Sequence, residues 1–143
     1  MMAFVSRPFE VAGAAFYADA FVAMHAASAF TFAMVAFVKP EMFSLFSKSN
    51  IPAESITADC IRWSAPFIFG FAFFAASSLY LDPKARLYIA RVFILSFAIA
   101  VAAGVYAHTR GRWNDWHPLN IALFATLGLA YMVLVVGFPG ALD

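Results

Sequence analysis

The sequence predicts an all-α integral membrane protein, a bundle of four transmembrane helices, and three observations support this prediction. Four long apolar stretches cover residues 11–38, 64–81, 86–108 and 118–137, and a helix needs about 20 such residues to cross the hydrocarbon core. Hydrophobic residues make up 64% of the chain and charged residues 12%, against about 45–50% and about 25% in soluble domains. The connecting segments are too short to fold alone, so residues 1–143 should form a single domain.

Prolines mark the limits of the first two helices. The residue before Pro40 avoids the α region, so the first helix should end there. The second helix should begin near Pro52, ahead of its apolar run, because Ser49 or Asn50 can cap its first amides. Pro66 lies inside this helix and leaves one carbonyl without its donor, which predicts a kink.

Capping residues, prolines and a glycine also mark the ends of the third and fourth helices. Asp82 can cap the third helix, and Pro83 suits its first turn. Pro118 suits the first turn of the fourth helix, which Gly137 and Pro139 should end. These signals predict a short turn between the second and third helices.

Four crossings divide the loops between two membrane faces. Side A holds both chain ends and the turn near Asp82, and side B holds the loops at residues 39–61 and 109–117. The tryptophans are predicted at side B and three of the tyrosines at side A, an arrangement typical of interfacial aromatic belts: Trp63, Trp113 and Trp116; Tyr17, Tyr80 and Tyr88.

Charge and cysteine content exclude two classes of function. The chain has nine Lys plus Arg against eight Asp plus Glu, and this net charge of +1 provides no basic surface for nucleic acid. Cys60 is the only cysteine, which excludes an internal disulfide and a Cys-x-x-Cys redox or zinc site.

Two charged residues within the spans are predicted to form an ion pair. Asp19 and Arg91 lie at a similar depth towards side A, and a charge at the bilayer centre costs at least about 2.5 kcal/mol. An ion pair between the first and third helices would offset part of this cost. The alternative is that each side chain reaches the side A headgroups independently.

His25 lies near the middle of the first span. Its imidazole could be the axial ligand of a haem iron or a chlorophyll magnesium. A bis-histidine haem would need a second histidine at that depth, but His108 and His117 lie near side B. The alternative is a hydrogen bond to a hydroxyl of another helix, such as Ser96 or Thr126.

The segment from residue 108 to 120 concentrates polar and aromatic side chains at side B, where Arg62 and Trp63 are also predicted. Such a surface could bind a quinone headgroup, a lipid phosphate or a partner subunit, or it could be an interfacial turn anchored in lipid headgroups. We predict lipid or partner contacts at seven residues: Arg62, Trp63, Arg110, Arg112, Trp113, Trp116 and His117. No metal site is predicted, because two histidines need a further ligand and the spacing does not show that Asp115 supplies it.

No catalytic set is recognisable, so an enzyme is not favoured. The 18 phenylalanines suit contact with acyl chains, pigments or another protein. We therefore expect a small accessory subunit of a larger membrane complex, photosynthetic or respiratory, in an energy-transducing organellar or bacterial inner membrane. Its expected partners are membrane lipids and other membrane subunits. Its candidate cofactors are a bound lipid and a chlorophyll, carotenoid or haem. The alternatives are a quinone-linked redox protein and a small transporter or biogenesis factor.

The layout of the chain resembles the DoxX-like group of small four-helix membrane proteins. Arg62 opens the second helix after a long loop, and Gly111, Trp113 and His117 precede the fourth helix, so that the resemblance covers roughly residues 40–137. It implies a four-helix bundle and, as in some relatives, a link to quinone-dependent oxidation or thiol redox chemistry. The chain has no cysteine pair for the thiol reaction.

Overall fold

The structure, a computed structural model, describes residues 6–111 and 113–142 as a chain of four main helices. These are α1 (Ser6–Val38), α2 (Ile56–Ser78), α3 (Pro83–Thr109) and α4 (His117–Met132), and α4 continues as a π-helix over Val133–Gly137. Short 3₁₀ turns occupy Pro40–Phe46 and Pro139–Leu142. Within the described ranges there is no strand, only one isolated bridge between Ser47 and Trp113.

Four helical segments are long and apolar enough to cross a membrane: Gly13–Val38, Ile56–Ser78, Pro83–Thr109 and His117–Gly137. Helices satisfy their backbone hydrogen bonds internally, which the hydrocarbon region demands. The predicted all-α bundle of four transmembrane helices is confirmed, and these are the properties of an integral membrane protein.

The caps agree with the sequence at α3 but differ at α2. The Asp82 carboxylate accepts hydrogen bonds from the amides of Lys84 and Ala85, at 3.0 and 3.2 Å. The predicted start of α2 near Pro52 is wrong, because the hydroxyl of Ser55 caps this helix by accepting from the Ala58 amide at 3.2 Å.

Helices α1 and α2 pack against each other through small side chains. Their buried residues are largely alanines, and on α2 they recur at intervals of three and seven: Ala33 and Ala36 of α1; Ala58, Ala65, Ala72 and Ala75 of α2. Small residues allow two helix backbones to approach closely in a membrane.

Helices α3 and α4 form a second close pair through glycine. A Cβ added to Gly104 would lie 2.9 Å from Cγ1 of Ile121, and one added to Gly128 would lie 3.2 Å from Cβ of Phe97. Ala122 and Thr126, two other small residues of α4, are exposed.

The space between the two helix pairs is filled mainly by large aromatic side chains. Phe93 and Phe97 of α3 and Tyr131 of α4 are buried there against Ala18 and Val22 of α1. This aromatic core surrounds the one histidine at membrane depth.

Candidate functional site

His25 is buried in the aromatic core, at the middle of the α1 span. Its Nδ1 lies 2.8 Å from the hydroxyl oxygen of Tyr131 on α4. The histidine therefore bonds a hydroxyl of another helix, as one of the two alternatives predicted. The hydroxyl belongs to Tyr131, however, and not to Ser96 or Thr126. Thr126 is exposed on a different face of α4.

Three aromatic rings hold the His25 imidazole from its sides. The ring centroids of Phe93, Phe97 and Tyr131 lie 5.0, 5.3 and 5.5 Å away, all in edge-to-face arrangement. Such contacts restrict the orientation of the imidazole. The bond to Tyr131 then determines the chemistry of Nε2. If Tyr131 donates, Nε2 of the neutral ring carries the proton; if Nδ1 donates, Nε2 keeps a free lone pair.

A cavity of about 370 Å³ adjoins His25 between the two helix pairs. All four helices line it, and its walls are mostly apolar: Ala29, Phe32, Ile68, Phe71, Phe97, Ala100, Leu123, Phe124 and Leu127. Polar groups stand at two levels, with His25, Ser28 and Ser96 near the membrane midplane and Asn120 in the first turn of α4, towards side B. Few polar groups among apolar walls are typical of a small-molecule site.

The cavity is open towards the lipid. Ser28, Phe71 and Leu123 line it and are also exposed on the bundle surface. The cavity therefore borders the surface that the spans present to the bilayer.

Asp19 forms an ion pair, but with Arg86 of α3 and not with Arg91. The predicted partner, Arg91, points in a different direction. Residues five positions apart lie about 140° apart around a helix, so Arg86 and Arg91 cannot both face α1. Arg86 continues the inward stripe of Ala90 and Phe93, whereas Arg91 is exposed.

At side B, two histidines and a tryptophan form an aromatic stack. The ring of His117 lies between Trp113, at a centroid distance of 4.3 Å, and His108, at 5.5 Å, with planes within 16° of parallel. Nδ1 of His108 and Nδ1 of His117 are buried without a hydrogen-bond partner in the part of the chain that the structure describes. Imidazole lone pairs lie in the ring planes, and the planes of these two stacked rings are separate and nearly parallel, so the stack does not bring two lone pairs to one metal ion.

The other predicted contact residues differ in their availability. Trp63, Trp116 and Arg110 are exposed at side B, which suits the predicted lipid or partner contact. Arg62 is only partly exposed and donates hydrogen bonds to Asp59 and to the Ala53 carbonyl, both at 2.9 Å. Arg112 lies outside the described residues.

Asn114 fastens the side B turn to the segment that follows α1. Its side-chain amide donates to the carbonyls of Leu45 and Ser47, at 2.7 and 3.2 Å, and its backbone amide donates to Phe46. Gly111, with a φ of 71°, allows the chain to turn after α3. This network positions Trp113 over His117.

Two residues of the site were missed by sequence reasoning, although each left a signal. Tyr131 is a hydroxyl-bearing residue within the fourth apolar span. Arg86 shares the helical spacing of the buried Ala90 and Phe93.

Among the described residues, no group of three or more His, Cys, Asp or Glu could hold a metal ion. Comparison of the chain with protein-family models, curated proteins and solved structures finds no match. The resemblance to the DoxX-like group therefore stays a prediction.

Proposed function

We propose that this protein binds a quinone ring in the cavity beside His25, as a redox-linked component of an energy-transducing membrane. The observation that carries the proposal is a histidine, fixed by Tyr131 at membrane depth, beside a lipid-accessible cavity of about 370 Å³. Cavities of about 300–1,000 Å³ accommodate small organic ligands.

The polar groups of the cavity suit a flat ring with oxygen atoms at opposite ends. With Tyr131 donating to Nδ1, Nε2–H of His25 is a donor for one carbonyl oxygen, and the amide of Asn120 is a donor towards side B for the other. Phe97 and Phe124, which stack on each other with ring centroids 6.1 Å apart, line the cavity and offer an aromatic wall for the ring. The quinone link implied by the DoxX-like layout agrees with this proposal.

Ligand-dependent stabilisation of the purified protein tests the proposal. A short-chain benzoquinone added in detergent should raise the unfolding midpoint progressively with the logarithm of its concentration, because a ligand present at about 100 times its Kd adds about 2.7 kcal/mol of stability. His25→Leu should remove this shift. His108→Leu, a matched substitution outside the cavity, should retain it.

The same preparation separates the alternatives. Solvent extraction of the native protein should release a quinone in near-stoichiometric amount. A haem or chlorophyll absorption band that depends on His25 would instead support axial ligation through Nε2 and contradict the quinone assignment. Equal stabilisation of the wild type and His25→Leu would also contradict it.

A second candidate, an accessory subunit of a photosynthetic or respiratory complex, is favoured by the outer surface of α2. Phe67, Phe73 and Phe74 are largely exposed on this helix, which packs mainly against α1. Aromatic residues are enriched at protein interfaces. Native gel analysis of mildly solubilised membranes tests this role: co-migration with a large assembly that is lost in a Phe67→Ser, Phe74→Ser variant supports it, and a small particle argues against it.

A further inference from the structure

A second concave site lies on side B, separate from the His25 cavity. It is a groove of about 670 Å³ between the loop that precedes α2, the first turns of α2 and the end of α3. Tyr106, Arg110 and Trp113 line one wall, and the 47–57 segment lines the other. The quinone proposal does not involve this groove.

The groove has a polar part and an apolar part. Hydroxyl and amide side chains contribute the first: Ser47, Ser49, Asn50, Ser55 and Thr57. Phe43, Ile51 and Ile61 contribute the second. Among the described residues that line it there is no aspartate or glutamate, and Arg110 is the charged one. An amphipathic molecule with a negative group fits this distribution.

The charge of Arg110 is available for such a molecule. Its guanidinium lies 4.7 Å from the centroid of the Tyr106 ring and bonds the Tyr106 hydroxyl, so it is oriented without a carboxylate partner among the described residues. Arg62, at the same membrane face, differs because Asp59 neutralises it. An oriented, exposed guanidinium is well suited to phosphate recognition.

We propose that the groove binds one membrane phospholipid, with its phosphate at Arg110 and the neighbouring hydroxyls and an acyl chain along Phe43 and Ile61. The position of the site supports a lipid, because Trp113 and Trp116 are the tryptophans predicted from the sequence to lie in the interfacial belt of side B, where phosphate groups lie. The positive charge of Arg110 attracts the phosphate. The apolar part of the groove favours a molecule that also carries an acyl chain.

Native mass spectrometry of the full chain in detergent, titrated with phosphatidylglycerol, tests the proposal. The wild type should retain one phospholipid, and Arg110→Gln should weaken retention about tenfold or more, equivalent to about 1.4 kcal/mol. Lys39→Gln, which removes an exposed cation of the same face away from the groove lining, should change retention less than twofold.

Two further measurements keep the result decisive if Arg110→Gln fails to fold. Wild-type protein should prefer phosphatidylglycerol to a galactolipid with the same acyl chains, because the galactolipid has no phosphate. Inorganic phosphate at millimolar concentration should not displace the bound lipid. Equal retention by the wild type and Arg110→Gln, equal binding of the galactolipid, or displacement by free phosphate would each overturn the proposal.

Discussion

His25 and His117 are both buried histidines of one bundle, but their surroundings differ. His25 bonds the Tyr131 hydroxyl at 2.8 Å and adjoins a cavity. His117 packs against Trp113 and His108, and its Nδ1 has no partner within the described residues. Both imidazoles pack against aromatic rings, but within the described residues only His25 also has a hydrogen-bond partner for Nδ1.

Depth in the membrane explains this difference. At the midplane an unpaired polar group costs several kcal/mol, roughly 2–7 depending on the reference, so the protein must provide a partner. At the side B end of α4, water and lipid headgroups are close, and aromatic packing can hold the ring. A histidine with an internal partner and adjacent space is therefore the better candidate for ligand binding.

The largest effect should follow loss of the Tyr131 hydroxyl. Tyr131→Phe keeps the ring but leaves Nδ1 of His25 unpaired in a buried site, which should cost about 1–3 kcal/mol of unfolding free energy. Unfolding in mixed micelles with increasing dodecyl sulfate, followed by circular dichroism, measures this cost. Tyr106→Phe, on the exposed face of α3, is the control and should cost less. Equal losses of unfolding free energy in Tyr131→Phe and Tyr106→Phe would show that the buried hydroxyl contributes no more to stability than the exposed one.

A close helix contact near side B tests whether that end is as rigidly packed as the midplane. A Cβ on Gly104 would lie 2.9 Å from Cγ1 of Ile121, so Gly104→Ala should cost about 1–2 kcal/mol through overpacking. Gly70→Ala is the matched control, because nothing lies within 4 Å of its added Cβ, and alanine favours a helix by up to about 1 kcal/mol. If Gly104→Ala leaves the unfolding free energy unchanged, the α3–α4 contact at side B can adjust to an added methyl group.

The sequence predicted the four spans well because apolar length and proline positions are local properties. It identified Asp19 and His25 as polar residues within the first span, but not which residues they face. Depth follows from counting along one helix, whereas the choice of Arg86 and Tyr131 depends on how each helix is rotated. The cavity depends on the side chains of four helices at once, so no single segment could reveal it.

The Asp19–Arg86 pair is an intermediate case, with an exposed carboxylate and a mostly buried guanidinium. A double-mutant cycle of Asp19→Asn and Arg86→Gln should give a coupling energy of about 0.2–1 kcal/mol, reduced by salt. The same cycle with Arg91→Gln should give none, because Arg91 is exposed and does not face Asp19. A coupling energy between Asp19 and Arg91, with none between Asp19 and Arg86, would support the Asp19–Arg91 pair predicted from the sequence.

The smallest effect should come from replacing the imidazole at side B. His117→Phe keeps a flat ring against Trp113 and removes a buried nitrogen that has no partner within the described residues, so stability should change by less than about 0.5 kcal/mol. The same substitution at His25 should cost more, because it leaves the Tyr131 hydroxyl unpaired at the midplane. The difference between the two variants, measured by the same unfolding experiment, isolates the hydrogen bond from ring packing. If His117→Phe were the more damaging, side B would contain a polar interaction that ring stacking does not explain.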